Sequence, residues 1–386
     1  MQSELRTTAE FFSGIGGFRV ASDALGLETL WANDIDPKAC LVYRTRLKGP
    51  VHEGDVNDYL KTVPPHDILT GGFPCQPFSS AGKKQGTRDA RGTLFQVLVQ
   101  AIQQHRPRFF VLENVKRLLS MEKGCHFATI LSALAGLGYR VEWRLLNAMH
   151  FGLAQNRQRI IIVGSRTYES EHEAYLAPAA DLETLSSADL DRIHERKQWW
   201  QIETHGEHFA TWGLAVGGSF VSAELVEFTE AKPLVTLQQV LERNVSKQFD
   251  FTESMKPRLS QNEEVNRFVE GVEIISNQNG GARMGYTVFG VRGLAPTLTA
   301  ATSRHYERYK VGNLYRRLTN VEYARLQGFP DDHCSVVSVY DQYSLYGNAV
   351  PPPLVQWVLA RIIGGGAPIP KADVSQLSFA LNEKAK

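Results

Sequence analysis

The stretch TTAEFFSGIGGF, residues 7–18, sets a run of β-branched and aromatic residues directly ahead of a glycine-rich turn. That order reads as a β-strand feeding a helix through a tight loop. Glycines at positions such as Gly14, Gly16 and Gly17 let a backbone turn sharply and approach a ligand closely. The turn is not the dinucleotide fingerprint G-x-G-x-x-G, because Arg19 stands where the third glycine belongs, and a nicotinamide-linked enzyme is therefore disfavoured. Outward from this point the alternation continues. TLWAN, DILTGG, RFFVLENV, YRVEWRLLN and RIIIVG read as strands, with DPKACLVYRTRL, TLFQVLVQAIQQH and HFATILSALAGL as the helices among them. The expected fold is α/β: a doubly wound, mostly parallel, Rossmann-like sheet with a smaller second domain.

The chain has 386 residues, enough for a sizeable core and for two unequal domains. Its four cysteines, Cys40, Cys75, Cys125 and Cys334, form neither a CxxC pair nor a dense pattern. This argues against a disulfide framework or a metal site and for a reduced, cytoplasmic setting. No apolar run approaches the roughly 20 residues of a membrane span, and MQSELRTTAE lacks the basic start and apolar core of a secretory signal. A formal net charge of +1 says little as an average, so what matters is where charges sit. Lys83, Lys84, Arg88 and Arg91 stand against Asp89 alone between residues 83 and 91.

In open α/β sheets ligands bind beyond the carboxyl ends of the strands, so the residues there carry the argument. After the second strand comes Asn33-Asp34-Ile35-Asp36. An acid there either accepts hydrogen bonds from ribose hydroxyls or caps the helix that Pro37 opens. Gly54-Asp55-Val56 follows the third strand and is either an adenine-edge contact or a turn. The fourth strand ends in GGFPCQPFSS, where Pro74 and Pro77 fix φ and withhold amide donors on either side of Cys75. The fifth ends in Glu113-Asn114-Val115, bringing a carboxylate to the same rim. Taken singly, Cys75 is a small buried hydrophobe and Glu113 a cap or surface acid. With every strand end polar or glycine-rich, they read together as a nucleophile and an acid facing across a nucleoside-sized pocket.

The ordered set resembles the cytosine-C5 DNA methyltransferase family, whose members use S-adenosylmethionine. Phe12-Ser13-Gly14-Ile15-Gly16-Gly17 matches the family's F-[AS]-G-x-G-G turn, Pro74-Cys75-Gln76 its PCQ loop and Glu113-Asn114-Val115 its ENV element. Gln155-Asn156-Arg157-Gln158-Arg159 matches Q-x-R-x-R, Arg317 to Pro330 matches R-x-x-x-x-E-x-x-R-L-Q-G-F-P, and Gly347-Asn348 matches the closing GN pair. The matches cover residues 10–165 and 315–365. Two positions depart: Ile35 takes a place often aromatic, which weakens stacking on the adenine, and Ala349 replaces a common serine. The resemblance implies Cys75, Glu113, Arg157 and Arg159 as catalytic residues. It implies Phe12, Gly14, Gly16, Gly17, Asp34, Ile35, Asp55, Val56, Pro74, Leu94 and Asn348 as the cofactor wall.

The chemistry accounts for these residue types. C5 of cytosine is too poor a nucleophile to attack a methylsulfonium until another group adds at C6, and a thiolate can add there. Free cysteine has a pKa of about 8.5, so the site must raise the thiolate fraction of Cys75 or move the proton during attack. A protonated Glu113 at N3 would neutralise charge developing on the ring, which needs its pKa raised by burial from about 4.3. Arg159, with Arg157, is expected on the O2 side as the resemblance implies. No residue stands out as base for the C5 proton, which leaves water or hydroxide. Turning the cytosine out of a duplex costs a few kcal/mol. Residues 80–92, with Gly82, Gly86 and Gly92, read as a loop that closes over DNA and grips phosphates through Lys83, Lys84, Arg88 and Arg91. Gln76 is expected on the DNA, and Ser79 either donates to phosphate or caps.

The expected division is a catalytic domain at 1–165, a target-recognition domain at 166–335 with 166–232 as an insertion, and a segment at 336–386 that returns to the catalytic domain. Acidic residues from Glu169 to Asp191, Asp181 among them, place the first part of 166–310 away from the duplex or against another protein surface. Residues 277–293 and 302–317, rich in amides, arginines such as Arg304, and tyrosines, are better readers of bases. GLAPTLTA resembles the family's Thr-Leu element and puts Thr297 and Leu298 near the groove. Trp199, Trp200 and Trp212 read as a small core. YGNAVPPPLVQWVLARII is expected to pack back on the glycine turn. The reading that results is a monomeric methyltransferase acting on double-stranded DNA in a restriction-modification system, beside a cognate restriction endonuclease. An RNA (tRNA) cytosine-C5 methyltransferase and a noncatalytic DNA-binding module are the rivals. The size of 166–310 speaks against the first, and the presence of both Cys75 and Glu113 against the second.

Overall fold

The computed structural model describes residues 5–74, 94–166, 173–251, 262–278, 287–300 and 308–371. The first half lays down β1 (Thr7–Phe11), α1 (Gly17–Ala24), β2 (Glu28–Asp34), α2 (Pro37–Leu47), β3 (His52–Glu53), α3 (Val56–Tyr59), β4 (Ile68–Gly72), α4 (Leu94–His105), β5 (Phe109–Val115), α5 (Cys125–Gly136), β6 (Arg140–Asn147) and β7 (Gln158–Ser165). These strands stand in the order β3-β2-β1-β4-β5-β7-β6, parallel except for β7, which runs antiparallel to both its neighbours. The order reverses between β1 and β4, which puts a ligand crevice outside their carboxyl ends.

The apolar run of β5 has its cause in burial on both faces. Phe110 and Leu112 pack in one core with Phe95 and Leu98 of α4 and Phe127 and Leu131 of α5. Phe109 and Val111 face the other way, into a core shared with Phe18 and Ala21 of α1. That second core is completed by Leu354, Val358 and Ile362 of a helix near the end of the chain, numbered α11 below.

The structure departs from the expected division between residues 173 and 232. After β8 (Glu173–Ala174), α6 (Ala179–Leu182) and α7 (Ser187–His194), the strands β9 (Trp200–Gln201), β10 (Trp212–Val216) and β11 (Ser219–Ala223) extend the catalytic sheet beyond β6 in the order β6-β10-β11-β9, all antiparallel. The reason lies in β6. Its charged residues Arg140, Glu142 and Arg144 are all buried and need polar partners, which the insertion supplies. Trp212 Nε1 and the Tyr175 and Leu176 amides donate to Glu142 at 2.7–3.0 Å. Arg144 pairs with Asp181 at 2.6 Å, so this acid belongs to the interior rather than to a DNA-repelling surface. Trp199 and Trp212 join the core here, while Trp200 lies 41 % exposed with the Arg192 guanidinium over its ring.

Past α8 (Leu237–Val240), a second sheet runs β12-β13-β14-β15-β16, built from Asn262–Val269, Val272–Gln278, Thr287–Phe289, Arg308–Val311 and Leu314–Arg316. Then α9 (Asn320–Gln327), opened by a Thr319/Glu322 capping box, leads to α10 (Val339–Asn348), α11 (Pro352–Gly364) and β17 (Ala367–Pro368). Glu322 also holds Arg316 through two hydrogen bonds of 2.7–2.8 Å. The returning helix α11 packs on α1, as its apolar stripe requires. Among the described residues no helix is long and apolar enough to cross a membrane.

One buried acid makes stability pH-dependent. Glu10, in the middle of β1, accepts from the Tyr43 hydroxyl at 2.9 Å, and burial pushes its carboxyl up to about 8. A folded chain then holds a proton that the unfolded chain releases near its ordinary pKa, so stability falls as pH rises from about 4.5 to about 8. Glu10→Gln is expected to flatten that fall. Urea denaturation at pH 5, 6, 7 and 8 measures it, and parallel curves for the two proteins would refute the assignment.

Candidate active site

A cavity of about 400 Å³ opens at the carboxyl ends of β1, β4 and β5. Its walls come from the turn after β1 (Phe12 to Ile15, Gly17 and Phe18, with Gly16 set back toward Tyr43 and Leu47), Asp34 and Asp36 at and after the end of β2, Gly72 to Pro74 at the end of β4, and Glu113 to Val115 of β5. Arg157 and Arg159 border it on another side, and Gly347 to Val350 close it. A cavity of this size suits one nucleoside-sized ligand.

The β1 turn is held by a carboxylate. Asp34 accepts from the Gly14 amide at 2.7 Å and from the Asp36 amide at 2.8 Å, and burial raises its pKa. Asp36 caps α2 by accepting from the Lys38 amide at 2.8 Å, so the two readings of this acidic pair divide: Asp36 is the cap, and Asp34 braces the pocket turn. Gly16 has φ +84°, in the left-handed region. Gly17 is glycine for another reason: a Cβ there would stand 2.3 Å from the Val350 carbonyl oxygen. Overpacking of this kind costs roughly 1–3 kcal/mol, equivalent to a loss of about 5- to 150-fold in ligand affinity if it falls on the pocket. If the cavity takes the cofactor that the resemblance implies, Gly17→Ala should weaken S-adenosylhomocysteine binding by that order in calorimetry. Gly136→Ala, which meets nothing within 4 Å, should leave it unchanged.

Glu113 and Arg159 meet on the far wall, with Arg159 Nε 2.7 Å from Glu113 Oε1 and both side chains largely buried. Gly72 leaves room for the carboxylate, since a Cβ there would lie 3.2 Å from Glu113 Oε2. Asn114 donates from Nδ2 to the Phe73 carbonyl at 3.0 Å and so ties the β5 rim to the segment that runs through Pro74 toward the cysteine. Cys75 itself lies outside the described residues, as do Gln76, Ser79, Lys83, Lys84, Arg88, Arg91 and Arg304.

Several expected residues stand elsewhere or do something else. Arg157 is buried, and its guanidinium donates to the carbonyls of Leu298 at 2.7 Å and of Gly347 and Ala349 at 3.0 Å, so those donors hold backbone. Burial first, then the nearby Arg159 charge, drives its pKa well below the ordinary value. Leu298 is fully buried rather than placed at a groove, because its amide binds Gln155 Oε1 at 2.9 Å and its side chain joins the second core. Thr297 donates to the Asn156 carbonyl at 2.6 Å. Asp55 caps α3, accepting from the Asn57 amide at 2.9 Å, Val56 is core, and Leu94 opens α4 against the same core; none of the three lines the cavity. Ile35 is 70 % exposed between Asp34 and Asp36, and Asn348 is exposed at the cavity's edge.

Two residues that carry the site were not singled out from sequence. Ser13 is buried on the cavity wall, and its Oγ has no hydrogen-bond partner among the described residues. Such an orphaned hydroxyl, beside two glycines and a braced turn, fits a polar ligand. Asn33 donates from Nδ2 to the His52 and Gly54 carbonyls at 2.8 and 3.1 Å, fixing the β2 and β3 ends together. A second cavity of about 460 Å³ shares Val115 and Arg159 with the first, and its other walls include Lys116, Arg117, Thr297 and, from the second sheet and its first turn, Val269, Glu270, Ile274 and Phe289.

A Rossmann-like sheet of order 3-2-1-4-5-7-6 carries a glycine turn on one side of its switch point and an acid-arginine pair on the other. A family model described as C-5 cytosine-specific DNA methylase matches residues 6–364, and the chain belongs to that family. It is therefore a DNA cytosine-C5 methyltransferase that uses S-adenosylmethionine. It is 31 % identical to the type II methyltransferase M.BanI of Aneurinibacillus aneurinilyticus, over 91 % of this chain and 94 % of the relative. With M.HpaII of Haemophilus parainfluenzae it also shares 31 % identity, over 92 % and 89 %. A solved DNMT2 mutant from Spodoptera frugiperda superimposes with a TM-score of 0.61 at 16 % identity, covering 92 % of this chain and 99 % of that one, which speaks for the fold.

Proposed function

We propose that Cys75 is the nucleophile, Glu113 the acid at cytosine N3 and Arg159 the group on the O2 side, acting on a cytosine turned out of duplex DNA. The observation that carries this reading is the Glu113–Arg159 pair at 2.7 Å, on the wall where Pro74 leads toward Cys75. The residues from Phe12 to Gly17, with Ser13 Oγ, Asp34 and Asn348, would hold S-adenosylmethionine, which supplies a methyl group made electrophilic by its sulfonium. The rest falls to side chains. The Cys75 thiolate forms a bond to C6 while Glu113 gives a proton to N3, which leaves C5 nucleophilic. Once C5 carries the methyl group, its proton leaves to water or hydroxide and the C6–S bond breaks to release Cys75. Duplex DNA would lie over the second cavity, with Lys116 and Arg117 toward phosphate.

The relatives are named as type II methyltransferases, and this supports a protective role in a restriction-modification system beside an endonuclease of the same specificity. A monomer working in the cytoplasm completes the reading. Tritiated S-adenosylmethionine offered with unmodified DNA and, separately, with tRNA tests the substrate. Label on DNA, confined to cytosines of one short sequence, is the expected result. Label on tRNA alone would replace this substrate with the other.

A further inference from the structure

Arg157 holds more than one part of the molecule. Residues 154–157 and 295–298 run side by side: the Ala295 amide donates to the Ala154 carbonyl at 2.8 Å, and the Asn156 amide to the Ala295 carbonyl at 2.9 Å. Thr297 Oγ1 and the Leu298 amide add two more links to that segment. Gln155 reaches onward, from Nε2 to the Leu326 carbonyl at 3.0 Å, and Gln327 Nε2 binds the Tyr346 carbonyl at 2.6 Å. The recognition segment and the cavity-closing turn then touch backbone to backbone, for a Cβ on Gly347 would lie 2.4 Å from the Thr299 carbonyl carbon. Arg157 spans that junction. One of its terminal nitrogens takes Leu298 on one side, and the other takes Gly347 and Ala349 on the other. These carbonyls lie in the interior, where an acceptor left without a donor is costly and a cationic donor is strong.

We propose that Arg157 is a positioning residue that staples the recognition segment at Leu298 to the turn at Gly347–Ala349, so that one side chain sets both the DNA-facing and the cofactor-facing walls of the site. This rests on the reading of the first cavity as the cofactor site. A residue that only touched the target base would act solely when a base is present. A staple acts before any base arrives.

The test therefore removes the base. S-Adenosylhomocysteine binding to DNA-free enzyme is measured by calorimetry, and binding to a duplex carrying an abasic target position by fluorescence anisotropy, for wild type, Arg157→Lys and Arg157→Met. Both dissociation constants should rise, by about tenfold for Arg157→Lys, whose ammonium offers one point of attachment in place of a planar fork, and further for Arg157→Met. Constants within twofold of wild type, with a fall in kcat alone, would overturn the staple and return Arg157 to the base. A rise in only one constant would also overturn it. If Arg157→Met does not fold, Arg157→Lys and Thr297→Val decide. Thr297 lines the second cavity and not the first, so weaker S-adenosylhomocysteine binding in Thr297→Val supports the junction, and unchanged binding in both variants overturns it. The cofactor reading is checked apart from this by Gly17→Ala: if wild type and Gly17→Ala bind equally, that reading fails whatever Arg157 does.

Discussion

Cys75→Ser should lose methyl transfer by about 10⁴-fold or more, the scale on which enzymes lose a nucleophile. C5 of cytosine has no reactivity toward a sulfonium carbon until C6 is saturated. A thiol with an ordinary pKa of about 8.5 supplies some anion at neutral pH, whereas a serine hydroxyl supplies essentially none. Covalent capture reads the same step. DNA containing 5-fluorocytosine cannot lose the group at C5 after methylation, so the C6–S bond persists and the complex survives denaturation. Wild type should form this adduct on one short DNA sequence, and Cys75→Ser should form none. An adduct that survives the substitution would place the nucleophile elsewhere, and an adduct on RNA but not on DNA would overturn the substrate.

Glu113→Gln is expected to lower kcat by about 10²- to 10⁴-fold, the usual contribution of a positioned acid, while changing KM for DNA and cofactor little. The substitution keeps the shape of a side chain that fits beside Gly72 and against Arg159. It removes the proton that N3 must receive as charge builds on the ring. Single-turnover transfer rates separate this from binding, and a kcat within tenfold of wild type would mean that N3 is served by another group. The pattern is the opposite of the one expected for Arg157. Glu113 and Arg157, on walls of the same cavity, should thus divide cleanly into a rate defect and a binding defect.

Six strands of the catalytic sheet, β1, β2, β4, β5, β6 and β7, were legible because each announces itself locally. Phe109 to Leu112 is apolar throughout because both faces of β5 are covered, and the glycines after β1 sit where a turn needs them. The extension by β10, β11 and β9 was not legible, because the only sign of it is the charge on Arg140, Glu142 and Arg144 in a strand that otherwise looks buried. What answers those charges lies at Tyr175, Leu176, Asp181 and Trp212, which periodicity in β6 cannot locate. The same limit applies at the site. Glu113 could be chosen from its place at a strand end, but the destination of Arg157 depends on carbonyls 141 and 190 residues away. Asp55 was ambiguous for a different reason, since a carboxylate that caps a short helix and one that meets an adenine occupy the same place after a strand.

The cavity that opens with Phe12 to Phe18 is shut by Leu345 to Val350, and the two ends of that interval meet where Gly17 lies under the Val350 carbonyl and α11 lies on α1. On the proposed reading of this cavity as the cofactor site, a ribosome must deliver the residues through Val350 before the cavity can take a methyl donor. A chain that stops short of Gly347 should therefore bind no S-adenosylhomocysteine.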